Sequence, residues 1–195
     1  MSCQNTQDFC VGAGETFQPT IRWSTDVLGS KAITAISQAA PAVVTAPAHG
    51  IPDGWQVSVV SAKGMTQINA KEFPPRGVDW QKGTVLTVDT VQLNKVNSAD
   101  FAAYTSGGFL VFQTPVSLAG ASGIFTIRDA PVSGAVLATL TSSPAAGLTL
   151  NDTTKTITPV LATAALTWTV GYYDLEITDS TGRVWQVLSG TITIN

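Results

Sequence analysis

Apolar and polar residues alternate in one short segment of this chain after another, and each segment ends in turn-forming residues. The pattern runs through Thr16-Phe17-Gln18-Pro19-Thr20-Ile21-Arg22-Trp23, Gln56-Val57-Ser58-Val59-Val60 and Thr84-Val85-Leu86-Thr87-Val88. It returns at Ile124-Phe125-Thr126-Ile127-Arg128, Ala135 to Leu140, Tyr172 to Ile177 and Val184 to Ile194. A period of two sends alternate side chains to opposite faces, so each segment predicts a strand with one buried face. Asp179-Ser180-Thr181-Gly182 joins the last two segments as a hairpin turn, with Gly182 free to take positive φ. Leu148-Thr149-Leu150 and Thr156-Ile157-Thr158 predict a second hairpin around the turn formers Asn151 to Lys155. The one helical candidate, Thr163 to Trp168, spans about two turns at most, too short to stand without packing. It reads as a short helical turn crossing between sheets. Many short strands with frequent turns predict an all-β sandwich or barrel.

The strands are not evenly distributed. Phe17 to Trp23 reads as one good strand that stops at Ser24-Thr25-Asp26, with Gly29 soon after. A different texture runs from Ile33 to about Gln113, and from Val116 five or six strands follow in regular order. A lone strand before the middle stretch, and a sheet short of one edge after it, predict one domain split by another. The expected boundaries are an N-terminal arm at 1–14, a β-sandwich made of 15–29 and 116–195, and an inserted small barrel-like module at 30–115. Insertion at a surface turn costs little, because loop-closure entropy grows only logarithmically with length.

The middle stretch contains Ile33-Thr34-Ala35-Ile36, Pro41-Ala42-Val43-Val44, Ala48-His49-Gly50 and Asp53-Gly54-Trp55-Gln56-Val57, then Gly64-Met65-Thr66-Gln67-Ile68-Asn69 and Tyr104-Thr105-Ser106-Gly107-Gly108. In this order the motifs resemble the small β-module named after the first catalytic-cysteine half-domain of ubiquitin-activating enzymes. Copies of that module are frequent in bacteriophage virion proteins, where they carry no catalytic cysteine. This stretch has no cysteine at all, so ubiquitin-type chemistry is not implied. The flanking parts resemble the immunoglobulin-like domain of phage tail, baseplate and neck proteins. The matching residues are Gly14-Glu15-Thr16-Phe17, Leu118-Ala119-Gly120, Phe125-Thr126-Ile127-Arg128 and Leu137-Ala138-Thr139-Leu140. They continue with Gly171 to Ile177, Asp179, Gly182 and Leu188-Ser189-Gly190-Thr191. One departure is the large insert after the first strand, where a plain copy has a short turn.

Composition bounds the function classes. Of the 195 residues, 44% are hydrophobic and only 12% charged, the opposite of a disordered chain. No apolar run approaches the roughly 20 residues that span a bilayer, so no membrane role is expected. The start, Met-Ser-Cys-Gln-Asn-Thr-Gln-Asp-Phe-Cys, has no basic region and no apolar core and does not read as a signal peptide. Net charge is −3 and the 10 basic residues are scattered singly. No row of cations exists to neutralise phosphates, so nucleic acid is not an expected partner. Cys3 and Cys10 with a distant His49 cannot supply the four ligands of a structural zinc site. They read as free thiols on a mobile terminus, or as a disulfide within it or to a neighbouring subunit.

Candidate sites are few. His49, the sole histidine, sits in Ala-His-Gly before a Pro-Asp-Gly turn and reads as a turn residue bonding backbone, not as a catalytic base. No nucleophile elbow or phosphate loop is present, and Gly107-Gly108 reads as a turn. Most carboxylates, such as Asp53, Asp89, Asp129 and Asp152, fall at turns. Asp174 and Glu176 share a strand face and read as solvated. Trp23, Trp55, Trp80, Trp168 and Trp185 offer either a sugar-stacking platform or interface anchors. Trp168 and Trp185 are expected in the sandwich core, whereas Trp80, in the polar run Arg76 to Gln81, is the best candidate for an exposed contact. The resemblance favours an arm that lies across a neighbouring subunit, with Phe9 as anchor and Cys3 and Cys10 as possible cross-links.

These features lead to the expectation of a structural virion protein of the neck or collar, tail or baseplate. It would bind other virion proteins as a homo-oligomer, with no catalytic activity, cofactor or metal. The alternatives are a capsid decoration protein, or a receptor- or carbohydrate-binding module of a tail fibre using its exposed aromatics.

Overall fold

Side chains branched at Cβ crowd the backbone and favour extended conformations, and the fold follows that preference throughout. The computed structural model describes residues 6–195; among them the only helical elements are two single 3-10 turns, Thr66–Ile68 and Gly77–Asp79. The chain divides into two compact units, the residues through Trp23 with Val116–Asn195, and Ser24–Pro115. The first unit opens with β1 (Phe9–Val11) and β2 (Thr16–Phe17). The inserted unit follows with β3 (Ser24–Ala32), β4 (Ala35–Ile36), β5 (Ala42–Thr45), β6 (Gln56–Val60), β7 (Gln81–Thr87), β8 (Thr90–Leu93) and β9 (Phe109–Pro115). The first unit then resumes with β10 (Ser122–Arg128), β11 (Val136–Ser142), β12 (Ala145–Ala146) and β13 (Leu148–Asn151). It ends with β14 (Thr156–Pro159), β15 (Leu161–Ala162), β16 (Val170–Thr178) and β17 (Val184–Ile194).

The split unit is a β-sandwich of unequal layers. Its main sheet runs β1-β17-β16-β10-β11-β12, while β13 pairs with β14 and β15 with β2. Phe17, Ile21, Leu148 and Ile157 from the smaller layer share one core with Phe125, Ile127, Tyr173, Leu175 and Ile177 of the main sheet. Along β16 burial alternates residue by residue, as the sequence pattern requires. The Phe125 and Tyr173 rings stack with centroids 4.8 Å apart, an arrangement worth about 1 kcal/mol beyond area burial. The Asp179 turn closes as expected: Asp179 N–H donates to Arg183 O at 2.9 Å, and Gly182 takes φ +85°. Thr163 to Trp168 forms no helix; Leu166 N–H donating to Thr163 O closes a single turn there.

Three expectations are corrected in this unit and at its edge. The strand read at 17–23 stops at Phe17, since Pro19 has no N–H to offer a ladder; Ile21 rejoins alone by bridging Ile157. From Phe9 on, the N-terminal segment, expected as an arm, supplies an edge strand of the chain's own main sheet. β1 pairs in parallel with β17, Phe9 facing Ile192 and Val11 facing Ile194. Gly190 permits this approach: at φ +155°, a Cβ there would lie 2.1 Å from Gln7 O. The boundary expected near residue 29 lies instead between Trp23 and Ser24. Gly29 is no turn but a mid-strand residue opposite Phe112, whose ring fills the space of the missing Cβ.

The inserted unit is one curled sheet, ordered β3-β9-β6-β7-β8-β5-β4. Its two edge strands are consecutive in the chain and joined only by Ile33 and Thr34. A sheet whose first and last strands are two residues apart must curl until its edges approach, which gives a half-barrel. Trp55, Val57, Val59, Met65, Val91, Leu93 and Leu110 fill its interior, each at most 3% exposed. The ends of this unit meet where Ser24 pairs with Pro115. In the sandwich, Val116 N–H donates to Trp23 O at 3.0 Å, so both chain crossings are fixed by hydrogen bonds.

Candidate functional site

Several residues that carry the module resemblance brace loops. His49 is 3% exposed; its Nδ1 accepts the Ile51 N–H at 3.0 Å and its Nε2 meets Thr87 O at 3.1 Å. An amide can only donate and a carbonyl only accept, so the ring carries its proton on Nε2 and has no nitrogen left for a substrate. Gly64, at φ +80°, passes so near Ala103 O that a Cβ would sit 2.1 Å from it. The Asn69 side chain accepts from Ala62 N–H and donates to Ala62 O, folding the turn Ala62 to Asn69 back on itself. The Tyr104 hydroxyl lies 2.9 Å from the carbonyls of Ile33 and Gly107.

The turn that Asn69 folds back borders a cleft in the inserted unit. β7 pairs with β6 only at Gln56 and Val57, and beyond that point Asn69 and Ala70 run beside Val59 instead. The gap left where β7 departs opens into a cleft of about 380 Å³. Ser58 and Val59 line it from β6, the two 3-10 turns contribute Gln67 and Val78, and Lys95, Asn97 and Phe101 line it after β8. Ser58 is 2% exposed, and its hydroxyl has no hydrogen-bond partner among the described residues. Asp79 also lines the cleft and accepts the Lys71 N–H at 3.2 Å through Oδ2. Neither Lys71 nor Lys95 is in an ion pair; among the described residues the pairs are Arg76 with Glu72 and Lys155 with Asp152.

The residues expected to make contacts are not gathered into one place. Trp80 borders this region but is half-buried, because the 3-10 turn it closes, Trp80 N–H to Gly77 O at 3.3 Å, draws it inward. The exposed apolar groups of this loop are Phe73, 71% exposed, and Val78, 77% exposed. Phe9 turns into its own core, with its ring centroid 5.3 Å from Phe17 and 5.6 Å from Tyr173. Cys10 is a free, exposed cysteine whose Sγ accepts from Asn195 Nδ2; Cys3 lies outside the described residues. Trp55 is buried and donates to Gln113 O at 2.8 Å. Trp168 and Trp185 are at the rim of the sandwich core rather than within it. Trp185 meets Trp23 edge to face at 5.8 Å and is covered by the Arg183 guanidinium at 3.8 Å. Asp174 and Glu176 share the outer face of β16, where Asp174 accepts from Gln186 Nε2.

The perturbed titrations belong to structural groups of the sandwich. Hydrogen bonds from the Thr181 hydroxyl and the Trp185 indole hold Asp179 far below the usual carboxylate range. The Thr191 hydroxyl and amide lower Asp8 in the same way, and a hydrogen bond from Lys155 lowers Asp152. Burial, reinforced by the charges of Asp8 and Asp174, raises the Tyr173 phenol. Among the described residues no three His, Cys, Asp or Glu side chains converge as metal ligands, and no helix is long and apolar enough to cross a membrane.

Ser58 and its neighbours in the cleft were not evident from sequence. In Val57-Ser58-Val59 the serine reads as the solvent side of an alternating strand, and the loops that border it come from residues 67 to 101. The usable signal was local: exposed apolar Phe73 and Val78 in a loop also rich in Pro, Gly and charge. Neither the family models nor the curated proteins compared with this chain give a match.

Proposed function

We propose that this chain is a structural component of a bacteriophage virion, acting at the neck, tail or baseplate by binding other virion proteins in symmetric copies. The observation that carries this reading is the way the two resemblances partition. Every residue resembling the small β-module falls within the unit Ser24–Pro115, and every residue resembling the immunoglobulin-like domain falls within the other. Fold alone does not fix function, so the contact surfaces have to be found on the molecule. Val132, in the loop between β10 and β11, is 90% exposed and held at φ +66°. A β-branched side chain in that conformation costs on the order of 1–3 kcal/mol, and so exposed a position recovers nothing inside the monomer. Multivalent assembly would recover that cost across repeated copies.

The test is labelling of purified particles that carry a tagged copy, imaged by electron microscopy. Label at the neck, tail or baseplate is expected, and absence of the protein from particles refutes the reading. Label spread over the capsid faces would move the assignment to a decoration protein. Val132→Gly should raise the melting temperature, because glycine accepts positive φ, while lowering incorporation into particles.

A further inference from the structure

We propose that the outer face of the sandwich's main sheet is a docking surface for a second copy of this chain. The inference names a surface for the symmetric copies proposed above, but it stands on the sheet alone. The water-facing side of an antiparallel sheet is ordinarily polar. On this one Ile124, Val136, Val170 and Val184 point outward, between 43% and 58% exposed. Charge on it is sparse: along β10 and β16 the charged residues are Arg128, Asp174 and Glu176. None of the three is in an ion pair among the described residues. Arg128 stands opposite Tyr172, two and four residues along from the two carboxylates, and beside Val136, while Ile124 stands opposite Glu176. A two-fold axis lying in this face, between Thr126 and Asp174, resolves the arrangement. It brings Arg128 of each copy against Asp174 and Glu176 of the other, and lays Ile124 of each over Val136 of the other. An isologous contact makes both sets at once. A purely apolar partner would cover all three charges unpaired, and a partner of one sign would satisfy only the opposite one. A second copy supplies both signs at the required positions. Four strands about 4.8 Å apart and roughly seven residues long present about 450 Å² per copy. That lies at the small end of specific interfaces, which suits a contact repeated in an assembly.

Sedimentation equilibrium of the full chain in reducing buffer, up to about 1 mM, tests this. A reversible dimer with a Kd on the order of 100 µM is expected. Arg128→Glu and Glu176→Arg should each weaken self-association at least about tenfold, because each sets like charges against one another. Mixed in equal amounts, the two variants should recover a dimer of about wild-type strength, since each meets its opposite charge in the other. Residues that merely support their own fold would give no such recovery, and near-ultraviolet dichroism checks that each variant is folded. The proposal is overturned by a wild type that stays monomeric up to about 1 mM, roughly ten times the expected Kd. It is equally overturned by folded single variants that dimerise as the wild type does, or by a mixture of folded variants that remains monomeric. Particle labelling is independent of these results, so the virion reading is tested apart from the dimer.

Discussion

Asp179 shows how much one side chain does in a hairpin. Its Oδ1 accepts from the Thr181 amide and hydroxyl and from the Arg183 amide, and its Oδ2 accepts from the Trp185 indole. Those bonds favour the charged form, so the folded-state pKa lies below the ordinary value of 3.8. A carboxylate depressed in this way contributes stability above its unfolded pKa and loses it as the pH falls through the folded value. Asp179→Ala should therefore melt below the wild type at pH 7, with the gap narrowing once the pH drops under about 4. Calorimetry across a pH series checks this; a gap that stays constant would assign the aspartate a purely geometric role. The hairpin was legible in the sequence because all its partners lie within a few residues. Ser58 was not, because alternation reports only which face a residue takes on its own strand. What lies over that face is decided by loops far along the chain.

Among the elements, the sequence announced strands that alternate and missed those that do not: the short ones, and also the 9-residue β3, whose Ser24-Thr25-Asp26 and Gly29 read as a strand end and a turn. β16 and β17 carry their pattern over 9 and 11 residues, whereas β1 has 3 residues and a partner at the far end of the chain. Its placement rests on contacts that no local pattern encodes. Asp8 Oδ1 accepts from the Thr191 amide and hydroxyl, Tyr173 donates to Gln7 O at 2.7 Å, and Gly190 leaves room for the Gln7 carbonyl. Gly190→Ala should unseat this strand while the rest of the sheet holds. Hydrogen exchange would then rise at residues 7–11 and stay low along β16. Unchanged protection at those positions would show that the close approach is not needed.

For the whole molecule, the split itself was legible, since texture changes on both sides of the middle stretch. The exact crossing point was not, because Gly29 imitates a turn while serving as packing space for Phe112. With Trp23 and Val116 hydrogen-bonded to each other, the sandwich should survive loss of its guest. A chain in which residues 24–115 are replaced by a short Gly/Ser turn is expected to fold with a cooperative melt and native-like near-ultraviolet dichroism. A molten chain without fixed aromatic signals would show that the guest is required.

Pairing of β1 with β17 has a consequence in time. During synthesis the first strand emerges well before its partner, and β2 also waits, for β15. The insert, by contrast, has all its own partners once Pro115 has emerged. When it folds, it brings Trp23 and Val116 together and removes most of the closure cost of a loop of roughly 90 residues, about 3 kcal/mol relative to a tight turn. The guest therefore acts as a clasp for its host, holding two distant pieces of the chain in register until the final strand arrives to complete the sheet.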